Sequence, residues 1–260
     1  MVENVERIGN FTSSEIHKLI PLGNRPMTED ELEAYKKENP KGRKKNIDAG
    51  FSQAGLTYIQ DKQIELRLGR SINIEKVARA MTWGHFLEGR VFSLLGIEYD
   101  ILSKETDVHP TIAHWSGSPD LKIHGKLIGD IKCFEPKNFA LYTDMLLLQD
   151  PQEFKDQFPK EYWQLISNAL INQVKKVEAI SYMPYKSELA EIRQLAEEVW
   201  TGDGTDYRFR FIAEAPNREL PYLPDGGYYK NLNRFRFTVP EEDAEYLTNR
   251  VKEAIVILER

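Results

Sequence analysis

Ser116-Gly117-Ser118-Pro119-Asp120 and Ile128-Gly129-Asp130-Ile131-Lys132 read as the two arms of one β-hairpin, with His124-Gly125 as the turn signal between them. Asp130 and Lys132 are two apart and so project from one face of a strand. A three-residue loop, His124-Gly125-Lys126, pairs Ile123 with Leu127, Lys122 with Ile128, Leu121 with Gly129 and Asp120 with Asp130. That register sets two aspartates side by side. A two-residue turn would send Asp130 to the opposite face unless a bulge restored the register. Adjacent carboxylates repel, so such a pair calls for a bound cation or a shared proton. Hard oxygen ligands beside an ammonium suit Mg²⁺ or Mn²⁺ better than zinc. The plain alternative is a strand that starts at Asp120, with Asp130 and Lys132 as a modest surface ion pair.

The 260 residues are enough for one large domain with a proper core. With 41% hydrophobic and 29% charged residues the composition is that of an ordinary globular protein. No apolar run approaches the ~18 residues of a membrane span. Met1 to Arg7 has neither the basic nor the apolar region of a signal peptide, and Cys133, the single cysteine, excludes an intrachain disulfide framework. Both point to a reducing cytoplasm. Cys133 alone cannot supply an iron–sulfur cluster or a thiolate zinc site. The net charge of −6 argues against a protein that coats nucleic acid through its overall field, though not against a locally basic cleft.

Before the hairpin, Thr12-Ser-Ser-Glu15 is a capping-box pattern that predicts a helix from Thr12 to Ile20, stopped by Pro21. A short acidic helix is expected from Thr28 to Lys37, then a mobile basic loop near 38–47 carrying Lys41 and Arg43-Lys44-Lys45. That run is either a solvated loop or a phosphate-contacting arm. Ser52 caps a helix to Gly69, and a third runs from near Asn73 or Thr82 to Gly96, with Leu87 and Val91 on its buried stripe and Glu88 beside it.

Strands are predicted at 98–102 and 111–116 and at the hairpin arms, with helices at 138–149 and 160–173. A buried strand at Lys176–Met183 and an amphipathic helix from Ser187 to Trp200 follow. Tyr207–Phe211 and Arg234–Val239 alternate with period two, as strands do, and a helix runs from Glu241 to Leu258. The arginines of these late strands read either as solvent-facing partners of half-buried aromatics or as contacts to a nucleic-acid backbone. Central strands between helices predict a mixed α/β (α+β) fold with a central mixed sheet, in one domain spanning 1–260 with a C-terminal strand-loop-strand-helix extension at 201–260.

Further matches occur in order along the chain. They are Arg7-Ile-Gly-Asn-Phe-Thr-Ser-Ser14, Tyr58 and Glu65, and Trp83-Gly-His-Phe-Leu-Glu88. Then come Gly117-Ser118-Pro119-Asp120, Gly129-Asp130-Ile131-Lys132-Cys133, Tyr162-Trp163-Gln164 and Ser181-Tyr-Met-Pro184. With these residues the sequence resembles the phage recombination exonucleases of the lambda exonuclease and YqaJ type, within the PD-(D/E)xK nuclease superfamily. The resemblance covers most of the chain, with no motif at 23–47 or 201–233. Asp130 stands where close relatives often carry Glu, and Ile166 where a second glutamine is common.

The resemblance implies a restriction-endonuclease-like core. It implies that Asp120, Asp130 and the main-chain carbonyl of Ile131 bind Mg²⁺ (or Mn²⁺), with Glu88 completing the acidic cluster. Lys132 would orient or activate water or stabilise developing charge, and Gln164 would sit near the nucleophile, its alternative being a surface amide. Arg7, Ser14 and Ser118 would hold a 5′-phosphate, an arginine fork with hydroxyls being apt for one; Ser14 reads equally as a helix-start residue. The implied activity is 5′→3′ degradation of linear double-stranded DNA. The implied partners are duplex ends, further copies in a ring (often a trimer) and a single-strand annealing protein, in a bacterial cell hosting a phage or prophage. Two rivals stand beside it: another nuclease of the superfamily, such as a structure-specific or repair endonuclease, and a non-catalytic DNA-binding subunit on the same scaffold.

Overall fold

The computed structural model describes residues 7–72, 78–102, 105–201 and 206–260. Its first strand, β1 (Phe11–Thr12), lies parallel to a later one and is followed by a 3₁₀ turn at Ile16–Leu19. The expected capping box at Thr12 is therefore absent: Glu15 precedes the turn and no side chain caps it. Thr12 is claimed by the strand pairing and gives its N–H to the Tyr58 hydroxyl at 2.8 Å. An excursion follows, closed at its base by the antiparallel pair β2 (Asn24–Pro26) and β3 (Asn46–Asp48). Between them α1 (Glu29–Glu38) starts from a true capping box at Thr28 and Glu31. The basic run lies exposed between α1 and β3, with the Met27 N–H bonded to the Lys45 carbonyl at 2.9 Å.

Helix α2 (Gln53–Leu68) runs from a Ser52 cap to Gly69 in the left-handed conformation, as its sequence predicts. Helix α3 (Arg79–Leu95) matches the later of the two expected starts; Asn73 lies outside the described residues. Short strands β4 (Ile101–Leu102), β5 (Asp107–Val108) and β6 (Trp115–Gly117) come next, while residue 98 sits in a 3₁₀ turn. The hairpin arms are β7 (Leu121–Ile123) and β8 (Leu127–Lys132). Proline opens each of α4 (Pro136–Leu148), α5 (Pro151–Gln157) and α6 (Pro159–Ile171), a position where its missing N–H costs nothing.

Then come β9 (Lys176–Tyr182), α7 (Leu189–Thr201), α8 (Arg210–Glu214), β10 (Leu232–Thr238) and α9 (Glu241–Leu258). Tyr207–Phe211 is thus not a strand but a 3₁₀ turn entering α8. As a helical turn it puts Phe209, Ile212 and Ala213 on one face against the core and sets the Phe209 ring, tilted, 5.2 Å from Phe86. Asp206 fixes the turn by accepting the Arg208 N–H at 3.1 Å. Five alternating residues do not outweigh that burial.

The main sheet has the order β10-β9-β8-β7-β4, with β8 and β9 parallel and the other neighbours antiparallel. The parallel pair needs a crossover, which α4, α5 and α6 supply. Both faces are covered, and β9 shows the alternation: Val177 and Ala179 enter the core with α2, α4, α6 and α9, whereas Ile180 and Tyr182 enter the core with α3, α7 and α8. Burial on both sides is why β9 reads as a near-continuous apolar run. A second sheet, β1-β6-β5, leads the chain into the hairpin.

Candidate active site

The hairpin register is the predicted one: Ile123 faces Leu127, Lys122 faces Ile128 and Leu121 faces Gly129. The loop is three residues, with Gly125 at φ +65° supplying the left-handed turn position. Asp120 stands one step beyond β7, where the same register continued would set it opposite Asp130, and its carboxylate accepts the Ile131 N–H at 2.7 Å. The structure shows Ile131 contributing through this N–H.

Asp130 is fully buried in the middle of the sheet. Its neighbours are polar: Gln164 Nε2 donates to Oδ1 at 2.8 Å, and the Lys132 ammonium lies 2.7 Å from Oδ2. Lys132 Nζ also reaches Gln164 Oε1 at 3.4 Å. An exposed ion pair is therefore excluded for Asp130 and Lys132, and Gln164 faces inward from α6, not to solvent. Burial, followed by the neighbouring charge of Asp130, pushes the Asp120 carboxyl well above the usual range, against the opposing pull of Lys132. Burial works against the Lys132 charge, but Asp130 and then Asp120 more than offset it and hold the ammonium protonated.

Glu88 comes from α3, the helix packed on the other face of the sheet, and its charge is felt at Asp120. Its carboxylate is engaged by His85 Nδ1 at 3.0 Å, a contact that raises the His85 pKa. The acidic cluster expected from the sequence is thus only partly assembled, with Glu88 at its rim. Among the described residues no group of three His, Cys, Asp or Glu side chains is close enough to hold a metal ion. The Asp120–Asp130 pair itself has the donor chemistry of a hard divalent cation: oxygen ligands, adjacent like charges and a raised pKa that such a cation would relieve.

A second cluster lies just upstream. Arg7 Nη2 donates to Ser118 Oγ at 2.9 Å and Arg7 Nε to Thr106 Oγ1 at 3.2 Å. Ser118 and Asp120 are separated by one residue, at most about 7 Å of chain. Of the predicted phosphate-binding residues, Arg7 and Ser118 are together, while Ser14 bonds the Thr12 hydroxyl at 3.3 Å. Thr106 went unnoticed in the sequence because nothing local marks it; only folding carries it to Arg7. Behind Arg7, the Gly9 N–H donates to Glu65 Oε2 at 3.1 Å, and Glu65 is paired with buried Lys62 at 2.8 Å. Tyr58, Lys62 and Glu65 share one face of α2, so this helix cradles the N-terminal segment.

Gly117 links the two clusters. A Cβ there would collide with Asn168 Oδ1 and Ser13 Oγ, so only glycine lets β6 run this close to α6. The late arginines of β10 are engaged by carboxylates. Arg234 and Arg236 pair with buried Glu178, at 3.0 and 3.3 Å, and with Glu98.

Two solved proteins have a similar architecture. An alkaline exonuclease from Laribacter hongkongensis superposes with a TM-score of 0.56 at 15% identity, over 98% of this chain and 91% of that one; it has also been solved in complex with dAMP. A phage-related exonuclease from Haemophilus somnus gives a TM-score of 0.53 at 14% identity, over 96% and 93% of the two chains. The fold is of the restriction-endonuclease-like type. No family profile matches the sequence, and no curated protein is detectably similar to it. The likeness lies in the fold, at identities where sequence comparison has little left to find.

Proposed function

We propose that this chain is a metal-dependent deoxyribonuclease that degrades linear duplex DNA from 5′-phosphorylated ends in the 5′→3′ direction. The observation that carries the reading is the convergence of Asp120, Asp130, Lys132 and Gln164 beside the Arg7–Ser118 cluster, on a fold shared with exonucleases. Arg7 and Ser118 would hold a terminal phosphate through charge-assisted hydrogen bonds, setting the next phosphodiester against the aspartates.

Asp120 and Asp130 would hold Mg²⁺, or Mn²⁺ in its place. When bound, such an ion neutralises phosphate charge and makes water a stronger acid near neutral pH. The chain's own part is positional and electrostatic. Gln164 and the Ile131 N–H fix the two carboxylates; Lys132, kept protonated, places a positive charge where negative charge develops on the phosphate. Glu88, at the rim, would complete the cluster on leaving His85. Recombination of phage type, a ring of identical subunits and an annealing partner belong to the same proposal. Among the described residues no helix is long and apolar enough to cross a membrane.

The test is degradation of linear duplexes with 5′-phosphate or 5′-hydroxyl ends, alongside a closed circle, in the presence of Mg²⁺. Preferential loss of the 5′-phosphorylated linear DNA is expected, and Asp120→Ala and Lys132→Ala are expected to abolish it while remaining folded. Cutting of the closed circle would point to an endonuclease of the same fold. No cleavage with Mg²⁺ or Mn²⁺ would leave a non-catalytic DNA-binding subunit.

A further inference from the structure

We propose that Thr106 is a positioning residue for end recognition, locking the Arg7 guanidinium in the plane from which it grips a terminal phosphate. The inference rests on the end-binding reading above and adds a residue to it. Three contacts form a closed triangle: Arg7 Nε to Thr106 Oγ1 at 3.2 Å, Arg7 Nη2 to Ser118 Oγ at 2.9 Å, and the two hydroxyls to each other at 3.1 Å. Its corners come from three separate stretches of chain, the N-terminal segment, the approach to β5 and the exit from β6.

The geometry has a chemical consequence. A guanidinium carries five N–H donors in a rigid fork, with two edges that can each bind in bidentate fashion. Thr106 and Ser118 occupy the Nε–Nη2 edge. Among the described residues no partner takes the Nη1–Nη2 edge, and the chemistry of that edge selects a carboxylate or phosphate. Each hydroxyl oxygen accepts one bond from Arg7 and one hydroxyl donates to the other, so the guanidinium is held by two hydroxyls that brace each other. Arg7 itself is exposed, and an exposed arginine held by one bond would sample many rotamers. Thr106 is only 8% exposed, so it is the anchored corner. Its β-branched side chain has restricted χ1 freedom, which suits it to that task.

The experiment compares kcat/KM on linear duplexes with 5′-phosphate and 5′-hydroxyl ends for wild type, Thr106→Val, Thr106→Ser, Arg7→Ala and the Arg7→Ala/Thr106→Val double variant. Thermal melting would check that each is folded. Thr106→Val keeps the shape and removes the hydroxyl; it is expected to lower the phosphate-over-hydroxyl ratio about tenfold, the scale of one charge-assisted hydrogen bond. Thr106→Ser should restore the ratio to within about twofold of wild type, and adding Thr106→Val to Arg7→Ala should cost nothing further, because Thr106 acts through Arg7. An unchanged ratio in Thr106→Val, a loss in Thr106→Ser as large as in Thr106→Val, or additive losses in the double variant would overturn the inference while leaving the end pocket intact. A wild-type enzyme indifferent to the end would overturn both.

Discussion

Gln164 donates its side-chain amide to Asp130 at 2.8 Å, across the boundary between α6 and the central strand β8. The bond spans 34 positions of sequence and joins a buried carboxylate to α6. The Lys132 ammonium, 2.7 Å from the same carboxylate, also reaches Gln164 Oε1 at 3.4 Å, so the three side chains form one connected group. Replacing Gln164 with Leu should therefore lower kcat on the order of 10²-fold, the usual cost of removing one preorganised donor. Single-turnover cleavage of 5′-phosphorylated duplex would check this. A rate equal to wild type would remove Gln164 from the site.

The raised pKa of Asp120 makes a prediction about stability. Its folded form keeps a proton that the unfolded chain releases near pH 4, so the folded state binds more protons than the unfolded one. Stability of the cation-free protein must then fall as pH rises from about 4 towards the elevated folded pKa. Urea denaturation at pH 6 and pH 9 in EDTA should show the slope, and Asp120→Asn should flatten it. Added Mg²⁺ should raise the melting temperature at the higher pH in wild type but not in Asp120→Asn. Identical pH slopes in the two proteins would mean that Asp120 is not held protonated.

Gly117→Ala tests the close approach of β6 to α6. The new methyl would meet Asn168 and Ser13, both buried, with the Ser13 hydroxyl already tied to Ser167 at 2.8 Å. Overpacking of this kind costs about 1–3 kcal/mol. Urea denaturation should show that loss. Activity should fall with it, because Ser118 and Asp120 follow directly on the displaced strand.

Glu178 offers a contrast: it pairs with Gly129, next to Asp130, but its side chain projects from the opposite face of the sheet, that of Ile180 and Tyr182. It is buried on β9 and receives Arg234, Arg236 and the Tyr99 hydroxyl. Glu178→Ala would leave the Arg234 and Arg236 guanidinium groups with Glu98 but take the acceptor from the buried Tyr99 hydroxyl, at a cost of about 1–3 kcal/mol. Cleavage measured well below the melting temperature should stay near wild type. A strong loss of activity in a folded Glu178→Ala protein would show that this network reaches the site.

The hairpin was legible from the sequence because its determinants are local: a period-two pattern, a glycine at the one loop position that needs a positive φ, and a loop length that fixes the register. The same holds for the Ser52 and Thr28 caps and for helices opening on proline. Local signals failed where a tertiary partner outbid them. Thr12 pairs with Ser116 as a strand and does not cap a helix, and Tyr207–Phe211 turns helically because that buries Phe209 and Ile212.

Sequence spacing alone put Asp130 and Lys132 on one face of a strand and, for a three-residue loop, Asp120 beside Asp130; that the loop has three residues and not two came from the folded chain. Only the tertiary structure decided that Gln164 covers Asp130, that Thr106 joins Arg7 and that Glu88 rests on His85 at the rim. The physical reason is that these contacts depend on how helices pack on the sheet. Such packing is set by the burial of many side chains together and by no single stretch of chain.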